Sequence, residues 1–187
     1  MVLGAHRPAT ERAAVRPRLL ASLIDLAVIG GWIGVLTGVG MVVRRFLPGH
    51  PPAVVSRRTR IAADVGIFAA TVLPTGLYLG LTEAGAAQAS LGKRRLGLRV
   101  VDQRGGRPGG ARVALRTALK LLPWQLAHLS VARMMLAPDQ RSRVTWPAYV
   151  ASLALSGLTV VLALRDTAGR ALHDRAAGTR VTSDRPA

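Results

Sequence analysis

The feature that most constrains this chain is an apolar run at residues 19–43, which begins directly after Arg18 and contains one charged residue, Asp25. An α-helix rises about 1.5 Å per residue, so about 20 apolar residues cross the hydrocarbon core of a bilayer. Arg44 and Arg45 follow the run directly and mark its end. The run therefore predicts a membrane-spanning helix.

Further apolar runs follow at residues 61–82, 113–136 and 146–164. Pro74 lies in the first of these and predicts a kink, because proline removes a backbone donor. The run at 113–136 has two readings: it spans the membrane with Lys120 and Arg133 reaching opposite surfaces, or it is interfacial or re-entrant. The predicted fold class is all-α, a polytopic helical membrane protein with about four transmembrane helices.

Two of the ionisable side chains within these runs, Asp25 and His128, are candidate functional residues. Asp25 follows Arg18 by seven residues, which places both on nearly the same helix face, about 10 Å apart along the axis. Because a lone carboxylate is costly in lipid, we expect Asp25 to face protein or water, with Arg18, a bridging water or a second helix as its partner. His128 is either a hydrogen-bonded packing residue or a proton-handling group. Small residues at four-residue spacing predict close helix packing at Gly30, Gly34, Gly38, Gly76 and Gly80.

The net charge of +17, from 26 Lys and Arg against 9 Asp and Glu, is by itself compatible with nucleic acid as a partner. The basic residues, however, lie mainly in the loops between apolar runs, where anionic lipid headgroups would meet them. We therefore expect membrane lipids as partners and no nucleic acid. With four crossings, most basic residues share the side of the N-terminus, which predicts that both termini are cytoplasmic and that residues 1–17 form a cytoplasmic lead-in.

The segment between the second and third runs carries turn and strand patterns. Residues 98–102 read as a short strand, and Gly105-Gly106 follows as turn residues, so we expect a small cytoplasmic β-hairpin between the second and third helices. The upstream Gly92-Lys93 pair lacks the glycine spacing and the following Ser or Thr of a phosphate-binding loop. It therefore predicts no nucleotide site.

Three separated motifs carry a family resemblance: R-L-L-A-S-L-I-D at 18–25, A-S-L-G-K-R-R-L-G-L-R-V-V-D at 89–102 and R-A-L-H-D-R-A-A-G-T-R-V at 170–181. Together they resemble the RDD family of bacterial membrane proteins, named for one arginine and two aspartates. The resemblance implies that Arg18 is this arginine and that Asp25 and Asp174 are the aspartates. It also marks as motif residues Gly92, Lys93, Gly97, His173, Gly178 and Thr179.

The resemblance implies a single membrane domain over residues 18–187, with a cytoplasmic tail at 165–187, in the bacterial inner membrane. It also implies a part in transport, since cation/proton exchange has been proposed for some members of the family. Because four helices make a small pathway, a homo-oligomer or a membrane partner is expected with this function.

Two functions stay open on the sequence. In the first, the protein is a small transporter or a transporter subunit, Asp25 alternately carries a proton or an ion, and His128 can relay protons. In the second, it is a non-transporting structural or accessory protein, and Arg18, Asp25 and Asp174 clamp the tail to the first helix. No nucleophile triad, zinc-ligand spacing or cysteine is present, so we expect no enzymatic activity, cofactor or metal.

Overall fold

The computed structural model of this chain describes residues 15–47, 56–136 and 145–183. Residues 1–14 of the predicted lead-in lie outside the described residues. In chain order the helices are α1 (Val15–Phe46), α2 (Arg57–Ile67), α3 (Leu73–Ala84), α4 (Leu91–Arg95), α5 (Gly110–Leu136), α6 (Thr145–Arg165) and α7 (Leu172–Ala177). The strands are β1 (Leu98–Asp102) and β2 (Thr179–Ser183).

Three helical stretches of the described chain are long and apolar enough to cross a membrane, at Arg16–Phe46, Arg57–Ala84 and Thr145–Arg165. They coincide with the predicted runs at 19–43, 61–82 and 146–164. The predicted helical membrane fold is therefore confirmed. Many apolar side chains on these helices face outward, as lipid contact requires; Met41 on α1, for example, is 67% exposed.

A π-helical turn at Phe68–Val72 joins α2 to α3 immediately before Pro74. Proline has no amide hydrogen to donate to the carbonyl four residues earlier, which is that of Ala70. Trp32 of α1 donates its indole Nε1–H to this Ala70 oxygen at 2.8 Å. An irregularity was predicted at Pro74, and the structure has one there. The Ala70 carbonyl, which Pro74 leaves without a helical donor, is satisfied by a contact with α1.

Helix α5 corresponds to the run at 113–136 and continues through Pro123 without ending. Unlike the three helices named above, α5 does not meet the combined criteria of length and hydropathy for a membrane crossing. That it crosses the membrane therefore stays a prediction. It packs against α3, α6 and α7. Ser152 of α6 donates to the Pro123 carbonyl at 2.7 Å, and Arg133 pairs with Asp64 of α2. This helix is therefore the central element of the bundle.

The short elements α4, β1, α7 and β2 form a small unit at the end of α3, which we call the cap. The strand predicted at 98–102 is confirmed as β1, but the predicted hairpin is wrong, because β1 pairs antiparallel with β2 near the C-terminus, Val100 opposite Val181. Residues 103–109 contain one apolar side chain, that of Pro108, and proline has no amide hydrogen to donate to a strand ladder. Instead, Asp102 Oδ1 accepts the amides of Arg104 and Gly106, both at 2.9 Å, and closes a turn that leads into α5.

Two apolar clusters hold these parts together. In the cap, Ala21 of α1 packs with Leu98, Val100 and Val181 of the sheet. The cluster between the helices is Val72, Leu79 and Leu121, with Tyr78 and Trp124 packed against it. The first cluster fixes α1 against the cap, and the second fixes α3 against α5.

The glycines predicted to pack helices divide into two groups. A Cβ at Gly76 would lie 3.4 Å from Leu121, and one at Gly80 would lie 3.8 Å from Thr117, so both glycines face α5. On α1, a Cβ would meet nothing within 4 Å in the described chain at Gly30, Gly34 or Gly38. Packing at α1 against another molecule stays a prediction.

The sheet register can be tested by cross-linking, since the chain has no cysteine. The Val100 amide donates to Gln88, away from β2, so Val100–Val181 and, by alternation, Leu98–Ser183 are non-hydrogen-bonded pairs, whose Cα atoms lie about 4.5 Å apart. We expect Leu98→Cys with Ser183→Cys to form an intramolecular disulfide under mild oxidation, detected by loss of thiol alkylation in the mass spectrum. The control pair, Leu98→Cys with Arg112→Cys, should stay reduced; oxidation of the control pair alone would contradict the register.

Candidate functional site

Buried and partly buried polar side chains of the helices and of the cap meet where the cap joins the helices. We call them the polar network: Arg18, Asp25, Tyr78, Glu83, Ser90, Lys93, Arg116 and Asp174. The three residues of the family resemblance all belong to it. Arg18 contacts Asp174 directly, whereas Asp25 is connected to these two residues only through other members of the network.

Both carboxylate oxygens of Asp25 are held by fixed donors. Oδ1 accepts the Tyr78 hydroxyl at 2.8 Å and the Gly92 amide at 2.9 Å, and Oδ2 accepts the Ser90 hydroxyl at 2.5 Å. Only 4% of Asp25 is exposed. Among the partners predicted for Asp25 was a second helix, and Tyr78 of α3 is such a partner. Arg18, another predicted partner, bonds to the C-terminal tail.

Gly92 has no room for a side chain. A Cβ there would lie 2.0 Å from the carbonyl oxygen of Ala21, one turn before Asp25 on α1. Only glycine lets the start of α4 approach α1 this closely, and the approach brings the Gly92 amide to Asp25. The glycine of the A-S-L-G-K motif therefore permits close packing of α4 on α1.

Glu83 joins the Asp25 half of the network to the Asp174 half, and the sequence did not single it out. It is fully buried near the end of α3, where Oε1 accepts Lys93 Nζ at 2.7 Å and Oε2 accepts Arg116 Nη1. Lys93 Nζ also contacts Ser90 Oγ at 3.3 Å. The sequence does contain a signal that could have identified Glu83: it is a carboxylate at the end of an apolar run and precedes a strongly basic segment.

Asp174 lies at the other end of the network and is fully buried. Its Oδ1 accepts Arg116 Nε at 2.9 Å, and its Oδ2 lies 3.4 Å from Arg18 Nη2. Oδ2 also accepts the Ala171 amide at 3.2 Å, which caps the start of α7. Arg18 donates in addition to the Gly169 carbonyl. The first helix and the C-terminal segment, distant in sequence, are therefore tied by Arg18.

The charges along the network alternate and balance. The carboxylates of Asp25, Glu83 and Asp174 stand against the cations Arg18, Lys93 and Arg116. Burial is the largest single effect and raises the pKa of Asp174, but the charge and hydrogen bond of Arg116, together with the other neighbouring groups, bring that pKa below its usual value. Asp174 is therefore ionised at neutral pH, as an ion pair with Arg116 requires.

The other predicted polar residues lie around or outside the network. His173 Nε2 is 3.8 Å from Asp174 Oδ2, and burial, reinforced by Arg116, lowers the pKa of His173 to about 3, so its ring is neutral at pH 7. His128 of α5 hydrogen-bonds the Trp124 carbonyl at 3.0 Å, and its ring packs edge-on against that indole. Within the described contacts, His128 is a packing residue away from the network.

The remaining motif residues shape the backbone of the cap. Gly97 (φ +65°) and Gly178 (φ +62°) adopt left-handed conformations, at the end of α4 before β1 and between α7 and β2. The Thr179 hydroxyl lies 3.4 Å from Asp174 Oδ1. Asp166 fixes the turn between α6 and α7 by accepting Ala168 N and Arg175 Nη2, both at 2.8 Å. These contacts position α7, and with it Asp174.

Chemically, the arrangement is a set of occupied ion pairs. In the part of the chain that the structure describes, no group of His, Cys, Asp and Glu has a metal-binding arrangement. The described carboxylates of the network already accept from protein donors, so a cation entering there would have to displace an ammonium, a guanidinium or a hydroxyl.

Comparison with known families supports the motif analysis. The model of the RDD family matches residues 12–178, which include Arg18, Asp25 and Asp174. No curated protein and no solved structure matches the chain. The roles of these residues therefore have to be argued from the contacts described above.

The central carboxylate can be tested by mutation. Glu83→Gln leaves Lys93 and Arg116 buried without their shared counter-charge, and we expect unfolding free energy to fall by about 3–5 kcal/mol. The control Asp64→Asn breaks the partly exposed pair with Arg133 and should cost about 1 kcal/mol or less. Denaturant unfolding of both purified variants in detergent gives the comparison. Equal losses in the two variants would contradict a central role for Glu83.

Proposed function

Because the chain belongs to the RDD family of membrane proteins, we propose that it is a non-transporting structural or accessory protein of the membrane. Arg18, Asp25 and Asp174 are then architectural residues that fasten the cap to the helices. The basic residue distribution supports a cytoplasmic cap in a bacterial inner membrane, with anionic lipid as its surroundings. A homo-oligomer or a membrane partner covers the open glycine face of α1 in this account.

The single observation that carries this proposal is that both carboxylate oxygens of Asp25 accept hydrogen bonds from protein donors. Three donors, from Tyr78, Ser90 and Gly92, hold its two oxygens. A carrier carboxylate needs at least one oxygen that exchanges between its ligand and the solution on each side. Two of these donors, Ser90 and Gly92, belong to the motif that packs α4 on α1, so releasing Asp25 also disturbs that packing.

The tie between Arg18 and Asp174 supports the same function. Arg18 reaches both the Asp174 carboxylate and the Gly169 carbonyl of the C-terminal segment. Both contacts join the start of α1 to the C-terminal segment, which is distant in sequence. A clamp needs this geometry, whereas an ion pathway does not.

One observation favours cation/proton exchange as the second candidate. The network is continuous, with hydrogen bonds or ion pairs from Tyr78 through Asp25, Ser90, Lys93 and Glu83. Arg116 continues it to Asp174. A chain of polar groups in contact is the arrangement along which protons can move between sites.

The variant Asp25→Asn separates the two functions. Asparagine offers one acceptor oxygen to three donors, so the clamp predicts a loss of about 1–3 kcal/mol in unfolding free energy. It also predicts no proton or cation flux above that of empty liposomes for the wild type. Asp102→Asn is the control, since this carboxylate only closes a surface turn and should leave stability nearly unchanged. Cation-driven proton flux in wild-type liposomes that disappears in a stably folded Asp25→Asn variant would contradict the clamp and establish the transporter.

A further inference from the structure

An apolar groove runs between α3 and α5, with a volume of about 570 Å³. Larger apolar side chains line it together with small residues spaced four apart on each helix: Gly76, Gly80 and Ala84 on α3, and Gly110, Ala114 and Ala118 on α5. The exposed side chains of Leu77 and Leu81 stand along its rim. Because small residues lack side chains to fill the space, the two backbones border an open trough.

The groove has the length of one lipid leaflet. Along α3 it extends from Ala84 back to Phe68, sixteen residues, or about 24 Å at the helical rise. Half of a bilayer's hydrocarbon core is about 15 Å thick. An acyl chain of one leaflet therefore fits within the groove, and the remaining length reaches the headgroup level beside the cap.

A basic side chain, Arg107, lies at the cap end of the groove. It donates Nε–H at 3.0 Å and Nη2–H to the Ala84 carbonyl, and the other three of its five guanidinium donors remain for an anion. The N-terminus of the 27-residue helix α5 begins beside it at Gly110, with no acidic residue in its first turn. No charged side chain lines the groove itself.

A buried hydroxyl adds a polar point within the groove wall. Thr117 is 6% exposed, and its Oγ1 has no hydrogen-bond partner among the described residues. This oxygen lies beside Gly80, where α5 contacts α3, four residues and thus about 6 Å along α3 from Ala84. Buried hydroxyls normally find a partner. A ligand with oxygen atoms one glycerol unit below its phosphate would offer one at this level.

We propose that an anionic phospholipid binds in this groove. One acyl chain lies between α3 and α5, the phosphate binds Arg107 and the N-terminus of α5, and an ester oxygen lies at the level of Thr117. A second copy's helix fits less well, since an apolar helix has no anion to place at Arg107. The site goes beyond the accessory function proposed above and does not depend on it.

Native mass spectrometry of the full chain in detergent tests this site, with dioleoyl phosphatidylglycerol and dioleoyl phosphatidylcholine as probes. The wild type should bind one phosphatidylglycerol at least about fivefold more tightly than phosphatidylcholine. Ala118→Phe fills the groove and should weaken the first lipid at least about tenfold, since several methylenes lose their contact. Ala154→Phe, at an exposed alanine of α6 outside the groove, is the matched control and should bind as the wild type does.

The charge is tested by Arg107→Gln, which should weaken phosphatidylglycerol about fivefold and leave phosphatidylcholine unchanged. Its control is Arg104→Gln, an equal charge loss in the same exposed loop. Equal binding of the two lipids to the wild type, or equal effects of Ala118→Phe and Ala154→Phe, would overturn the proposal. A dimer that Ala118→Phe dissociates while lipid binding is unchanged would overturn it in favour of a second copy in the groove.

Discussion

Arg116 bridges two buried carboxylates, Glu83 of α3 and Asp174 of α7, and the placement of the cap depends on this bridge. The guanidinium is well suited to it, because its planar fork can bond two carboxylates at once and it stays charged when buried. On one side Lys93 shares Glu83, and on the other Arg18 shares Asp174. Each charge has an opposite neighbour, so burial costs far less than it would for any of them alone.

The cap needs such a bridge because its elements are too small to be stable alone. Helices of five and six residues, like α4 and α7, are well below the length at which isolated helices form, and a two-stranded sheet is marginal. Apolar packing adds one small cluster around Val100. Buried ion pairs add little net stability compared with apolar packing, but they permit few alternative arrangements. In this account the network specifies where the cap sits, and the exposed helix faces and the groove are left for lipid.

Local patterns predicted the long helices and β1, but they did not predict α4, α7 or β2. Apolar length identified the three long helices, and a short strand pattern followed by turn glycines identified β1. No local pattern selects β2 over a nearby hairpin partner. Family resemblance gave Arg18, Asp25 and Asp174 without their partners. Arg116 was not predicted as a site residue, since a charge near a helix start gives no sign that carboxylates from other helices will pair with it. Glu83 was not predicted as a site residue either, because no local pattern indicates that Lys93 and Arg116 pair with it.

The most direct test of the account is hydrogen exchange of the cap amides, compared between the wild type and Asp174→Asn in detergent. The account predicts that amides of β1 and β2 exchange at least about tenfold faster in the variant, because the cap opens more often. Amides of α3 should keep their wild-type protection, since that helix is held in the bundle by its packing on α5. Unchanged protection of both strands in Asp174→Asn would contradict the claim that the polar network holds the cap on the membrane helices.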